Sequence, residues 1–367
     1  MTAASGTGHV LLADVGGTNV RFALADTASR RPLIAESIRR YHVADFATFT
    51  DAALAYLTDS GAHPQRGVFG FAGQVRDGEV QVTNHTWSVS REHVRVQLGL
   101  DQLHIVNDFA AMSMCVPLLL ATDVRVIGSP SMPAPAAAKT ARFAVIGPGT
   151  GLGVGALMMQ DGRPSAFETE GGHTSFAPRT EEDIEILRRL AARFGRVSNE
   201  RLLCGSGLTN LHEALGEIHG IDAGTLPPEE ITRRAAANTD PACVRTLETF
   251  CELLGAVAGD FVLAFGAWDG VYLAGGLAPL ILPWIGRGGF RRRFEDKGRF
   301  EETLACVPTV AILHPDAGLL GAAACAVADA AERPQHRARA STESAAMSSS
   351  QAAPSPASQR TSIDDHE

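Results

Sequence analysis

Lysine is nearly absent from this 367-residue chain: only Lys139 and Lys297 occur. Neither follows a glycine, so there is no G-K-[ST] phosphate loop, and neither lies in a V-A-I-K setting, so a protein-kinase reading fails too. Any phosphate chemistry must rest on backbone amides, a metal and arginine. The six cysteines are scattered without a C-x-x-C pair, which argues against zinc and redox motifs and for free thiols in a reducing compartment. A formal charge of −9 leaves no basic stripe for nucleic acid or an anionic membrane. The one basic cluster, Arg291-Arg292-Arg293, is answered at once by Glu295 and Asp296. Long apolar runs are missing as well. The longest uncharged stretch, Phe143 to Gln160, holds five glycines and Pro148, so it reads as strands and a turn rather than a membrane span. The N-terminus lacks the basic and apolar regions of a signal peptide, and the expected compartment is the cytoplasm.

What is present is a repeated device. Val10 to Val15 and Val20 to Leu24 are apolar runs flanking Gly16-Gly17-Thr18-Asn19, the signature of a β-hairpin. Asp14 ends the first run, where burial is costly unless it faces a cation or a cleft. Bare glycine amides and a Thr hydroxyl beside it suit a phosphate and its metal; an ordinary turn is the bland alternative. The pattern returns about 130 residues later as Phe143–Ile146, Gly147-Pro148-Gly149-Thr150-Gly151 and Leu152–Met159, predicting a duplicated architecture with a nucleotide between the halves. Gly151-x-Gly153-x-x-Ala156 fits the dinucleotide fingerprint formally, but it continues as a strand, so that reading is rejected.

Between the hairpins the spacing predicts an edge strand over 32–43, a helix carrying Phe46, Phe49, Ala53, Tyr56 and Leu57 inward, and a central strand at Gly67–Gly73. A second hairpin should turn at Asp77-Gly78, and a helix should begin near Ser90. Asn107-Asp108 stands at the carboxyl end of Leu103–Val106 and opens a helix expected to run to Leu120, the edge where open α/β sheets bind ligands. A plain N-cap is the competing reading. The helix dipole should hold the Asp108 carboxylate ionised. Glu170-Gly171-Gly172-His173 is a glycine loop presenting an acid and a histidine together. Thr180-x-x-Asp183 resembles a capping box for a helix with Ile184, Leu187, Leu190 and Phe194 inward. Glu200 is anonymous by periodicity, and surface charge is the reading its residue type alone suggests. Pro241 suits the first turn of a long helix, and Gly275-Gly276 follows a strand at 270–274. From Glu332 onward Ser, Ala, Pro and Gln dominate, and the tail is expected to be disordered. Deleting it should leave activity and melting temperature nearly unchanged; a large drop in either would show that it docks on the body.

Taken together, these residues resemble the bacterial ATP-dependent glucokinases of the type distinct from ROK sugar kinases. The likeness runs from about Val10 to about Cys325. It rests on Asp14-Val-Gly-Gly-Thr-Asn19, Thr83-Asn-His-Thr-Trp87, Asn107-Asp108-Phe109, Gly149-Thr-Gly-Leu-Gly153 and Glu170-Gly-Gly-His173. Further matches are Val197-Ser-Asn-Glu-Arg201, Leu273-Ala-Gly-Gly276 and Phe294-Glu-Asp-Lys-Gly-Arg-Phe300. After Glu170-Gly-Gly-His173 comes Thr174-Ser-Phe-Ala-Pro178, without the cysteines typical of ROK kinases. The resemblance implies an α/β, actin-like (ribonuclease H-like) ATPase fold, two α/β domains with a cleft between them. The small domain would comprise 9–118 plus 309–331, the large one 119–308, and 332–367 the tail. It implies Asn107, Asp108, Glu170, His173 and Glu200 as glucose ligands, with Asp108 as general base. Asp14, Gly16, Gly17, Thr18, Gly149, Thr150 and Gly151 would bind the ATP phosphates, Gly275 and Gly276 would lie near the adenosine, and Asp14 would hold Mg²⁺ through water. Pro148 supplies no amide to the second turn. Glucose and ATP are the implied partners, a homodimer the assembly left open, and neither nucleic acid nor membrane is expected. Motif residues leave another hexose open as the substrate. A sugar-sensing regulator on the same fold is a further alternative; such regulators usually place a helix-turn-helix first, and only about nine residues precede the first strand here.

Overall fold

The computed structural model describes residues 8–73, 75–76, 78–81, 87–128 and 138–331. Contacts group Met1–Val327 as one unit and Ala328–Glu367 as another, and of the second only 328–331 are described, as helix. The expected motif at 83–86, the loop at 129–135 and the tail from 332 fall outside the described residues.

The first hairpin forms as its pattern requires. β1 (His9–Val15) and β2 (Asn19–Asp26) pair antiparallel, with Val15 opposite Val20 and Asp14 opposite Arg21. β3 (Leu33–His42), part polar, takes the edge beside β2. α1 (Phe49–Ser60) starts three residues later than Phe46, because Thr48 and Asp51 form a reciprocal capping box there. β4 (Arg66–Phe71) runs parallel to β1. A small sheet of β5 (Val75–Arg76), β6 (Glu79–Gln81) and β7 (Ser88–Ser90) follows. Then come α2 (Arg91–Gln97) and β8 (Gln102–Asn107), parallel to β4. The first sheet is therefore ordered β3-β2-β1-β4-β8, and Phe22, Phe49, Tyr56, Phe69, Phe71 and Trp87 fill its core.

α3 (Asp108–Met114) is shorter than expected. Pro117 has no N–H to continue it, and Val116–Leu118 form a 3-10 turn instead. β9 (Val124–Ile127) then enters a second sheet with β10 (Thr140–Pro148), β11 (Leu152–Gln160) and β12 (Arg163–Thr169). β10 pairs antiparallel with β11, and β11 with β12. Next come α4 (Glu181–Phe194), α5 (Gly205–His219), α6 (Pro228–Ala236) and α7 (Pro241–Phe265), the last with Pro241 in its first turn and Asp240 as cap. In α4 Leu190 is buried and Leu187 packs partly buried on the core, as expected, but Asp183 and Ile186 take the inward places expected of Ile184 and Phe194. Arg293 reaches in to the Asp183 carboxylate at 2.6 Å, both side chains being buried.

β13 (Gly270–Leu273) runs parallel to β10; α8 (Ala278–Ile285), α9 (Gly289–Glu295) and α10 (Glu301–Cys306) lead to β14 (Thr309–Ile312). The second sheet is ordered β12-β11-β10-β13-β14-β9. Its first five strands repeat the topology of the first sheet: three antiparallel, then two parallel. The expectation that the last strand joins the first half of the chain is corrected here, since β14 pairs with β13 and β9. In the helix that follows, α11 (317–331), Gly321 lies against α3: a Cβ on it would meet the Ala111 carbonyl at 1.8 Å. Among the described residues no helix is long and apolar enough to cross a membrane.

α3 touches both sheets. The ring of Phe109 lies on Gly147 and Gly153, a registered pair across β10 and β11. A Cβ at Gly153 would stand 1.9 Å from that ring, and one at Gly147 2.4 Å from it. The alternating glycines of this strand are a floor for α3, not a nucleotide fingerprint.

Candidate functional site

The amino end of α3 divides its duties between two residues. Asn107 is the cap: its Oδ1 accepts from the amides of Phe109 (2.8 Å) and Ala110 (3.1 Å), and its Nδ2 donates to the Gly73 carbonyl at 3.1 Å. Asp108 occupies the first helical position, where its Oδ1 accepts from the Phe109 amide at 2.9 Å. Cap and carboxylate thus coexist, and the carboxylate is left for other work. Its charge state differs from expectation. Burial, the neighbouring Asp14 and, more weakly, Glu170 outweigh the Phe109 amide and push the Asp108 carboxyl up to about 7. At neutral pH the group is poised between its two forms rather than held ionised.

Glu170, His173 and Glu200 come together. His173 Nε2 is 4.0 Å from a Glu170 oxygen and its Nδ1 3.9 Å from Glu200 Oε1. Glu170 and His173 expose 58% and 57% of their side chains, and Glu200 32%. The 3-10 turn Gly171–His173 can press onto β11 only because Gly172 has no side chain; a Cβ there would meet the Leu152 carbonyl at 2.1 Å. Glu200 is not a free surface charge. Its Oε2 accepts from the Leu152 amide at 2.9 Å, so one oxygen is anchored and the other faces His173.

Both hairpin turns close on their first amide: Gly16 donates to the Asn19 carbonyl at 3.0 Å and Gly149 to the Gly151 carbonyl at 2.8 Å. Gly16 and Gly149 are thereby removed as amide donors to a ligand. The amides of Gly17, Thr18, Thr150 and Gly151 have no partner among the described residues. Pro148 ends β10, and its carbonyl accepts from the Leu277 amide at 3.1 Å. Gly275, at φ +82°, sits so close that a Cβ would meet the Pro148 carbonyl at 2.6 Å; Gly275 and Gly276 therefore lie against the second turn. The amino end of α5 meets it too, through the Gly205 amide donating to the Gly149 carbonyl at 2.8 Å.

Several residues escaped the sequence reading. Arg21 lies 3.5 Å from Asp14 and 3.8 Å from Asp316, and the hairpin register alone, Asp14 opposite Arg21, would have found it. Burial raises the Asp14 carboxyl above its ordinary range, Arg21 and Arg40 opposing the rise and Asp316 adding to it. Glu168 accepts from the Asn107 amide at 3.2 Å, tying β12 to the cap of α3; no sequence signal marks it. Among the described residues no group of three or more His, Cys, Asp or Glu forms a metal cage.

The family model for glucokinase matches residues 11–329. The chain is 53% identical over 317 residues to a glucokinase of Stenotrophomonas maltophilia strain K279a, covering 86% of this chain and 94% of the relative. The crystal structure of a glucokinase from an Antarctic psychrotroph superposes with a TM-score of 0.77 at 33% identity, covering 86% of this chain and 98% of that one. A glucokinase from Balamuthia mandrillaris, crystallised with glucose, shares the fold at 19% identity with a TM-score of 0.73, covering 89% and 95%.

Proposed function

The chain belongs to the glucokinase family and phosphorylates D-glucose with ATP, and from that premise we propose how its residues divide the work. Asp108 takes the proton from the 6-hydroxyl as that oxygen attacks the γ-phosphoryl group. Asn107, Glu170, His173 and Glu200 hold the remaining hydroxyls, and the two turns with Gly275-Gly276 hold the nucleotide. The observation that carries this reading is the division at α3, where Asn107 caps and Asp108 is left beside Asp14 and Glu170. Phosphoryl transfer asks mainly for alignment and charge neutralisation, which anchored carboxylates and unpartnered amides supply. Mg²⁺ enters with ATP as part of the substrate, neutralising phosphate charge. It keeps most of its water and takes few protein ligands; Asp14 would be the acid that holds it, through water. The six free cysteines support the cytoplasm as its compartment.

Turnover with ATP and Mg²⁺ across a panel of hexoses tests the substrate: D-glucose should be preferred, and failure to phosphorylate any sugar would overturn the reading. Two further outcomes are expected. Asp14→Asn should weaken MgATP use more than glucose binding; equal loss of glucose affinity, measured without nucleotide, would count against the placement. The second concerns pH. A base must be ionised to accept a proton, so kcat/KM for glucose should fall as pH drops through about 7, the value at which the Asp108 carboxyl sits. The same rise has the opposite sign for stability: the buried neutral acid is tolerated at low pH, and its burial costs more as pH climbs from the ordinary carboxylate range to about 7. A rate profile flat from pH 5 to 8 would exclude Asp108 as the titrating base.

A further inference from the structure

The glycine turn that carries Glu170 and His173 is joined to the turn that carries Glu200 by a short ladder. Phe176 donates its amide to the Val197 carbonyl at 3.1 Å, Ser175 and Ser198 form an antiparallel bridge, and Asn199 donates its amide to the Thr174 carbonyl at 2.9 Å. Side chains lock the end nearest the acids. Asn199 Nδ2 donates to Thr174 Oγ1 at 2.9 Å, and that hydroxyl donates onward to the Gly171 carbonyl at 2.7 Å. One relay therefore runs from the residue before Glu200 to the first residue of the turn Gly171–His173. Asn199 is only 6% exposed, and its Oδ1 is buried without a partner among the described residues. An unmet buried acceptor is costly. A residue that only filled this space would be apolar, so the amide is kept for what its nitrogen holds.

We propose that Thr174 and Asn199 are positioning residues for the sugar: their relay sets the spacing between the Glu170–His173 pair and Glu200. The proposal rests on the reading of those three as glucose ligands. It separates the two substrates, since the relay touches neither phosphate turn. Loss of one net hydrogen bond corresponds to about a 3- to 10-fold change in an equilibrium constant.

The test is steady-state kinetics of the full chain with both substrates varied. Thr174→Val keeps the shape and removes the hydroxyl; it should raise KM for glucose about 3- to 10-fold and leave KM for ATP within about twofold. Thr174→Ser restores the hydroxyl and should return KM for glucose to within about twofold of the parent. Asn199→Ala, an independent cut of the same relay, should repeat the Thr174→Val pattern. Glu200→Gln serves as the control for the underlying reading. If it raises KM for glucose while Thr174→Val and Asn199→Ala do not, the positioning role is refuted and the ligand reading stands. If Glu200→Gln leaves KM for glucose unchanged, the ligand reading fails and the proposal with it. Equal rises in both KM values, unrelieved by Thr174→Ser, would reduce the relay to general scaffolding and overturn the proposal.

Discussion

Asp108→Asn is expected to phosphorylate glucose about 10²–10⁴-fold more slowly than the parent protein, a barrier rise of about 3–5 kcal/mol, with glucose binding little changed. The substitution tests chemistry and not folding, because capping of α3 belongs to Asn107, whose side chain accepts from both the Phe109 and Ala110 amides. An amide at position 108 can still accept from Phe109 and still hydrogen-bond a sugar hydroxyl, but it cannot take the proton. The Asn variant also removes an acid that burial keeps near neutrality, so the protein should be no less stable at pH 8. Retention of more than about a tenth of kcat, with the chemical step shown to limit the rate, would sink the assignment of the base and leave the glucokinase activity standing.

Gly153→Ala should do comparable damage from beneath the site. The new methyl would stand 1.9 Å from Phe109 Cε2 and 2.0 Å from Cδ2, in contact with a ring already resting on Gly147. Overpacking of this kind costs about 1–3 kcal/mol, occasionally more. Phe109 follows Asp108 in α3, so a ring forced off its floor carries the carboxylate with it. A displacement of about 1 Å at a reacting group can cost on the order of 10²-fold in rate. Urea denaturation and kcat should therefore both report the change, and Gly153→Ala combined with Phe109→Leu should recover part of the stability. Wild-type values for Gly153→Ala in both measurements would mean that the ring is free to swing aside, and the floor would lose its role.

The two hairpins, the central strand at 66–71 and the capping box at Thr180 were legible because each is written in a few contiguous residues. Glu200 was not. It sits in the 3-10 turn Asn199–Arg201, which has no period to betray a face, and its meaning comes from the Leu152 amide 48 positions away. The placement of β14 failed for a related reason: parallel pairing is decided by crossovers through α8, α9 and α10, and nothing local in Thr309–Ile312 names its neighbour. The protonation of Asp108 was misjudged by weighing a local effect alone. The helix end favours the charged form, but burial and the charge on Asp14 prevail, and neither can be read from the residues beside it. Arg21 is the opposite case, since the hairpin register that places it across from Asp14 was available from the outset.

The duplication of the hairpin is not a duplication of its charge. β1 carries Asp14 one residue before its end, whereas β10, from Thr140 to Pro148, contains no acidic residue at all. A cradle whose two sides were alike would accept a chain of phosphates in either direction, and half of the encounters would present the wrong end to the sugar. The carboxylate nearest the second turn, Glu200, comes from outside the hairpin and is tied to the Leu152 amide, so the two sides of the proposed cradle differ. If Asp14 holds the metal as proposed, the metal-bearing part of the nucleotide would face β1. On the proposed reading, the copied framework would supply the grip and the unmatched carboxylate of β1 the direction.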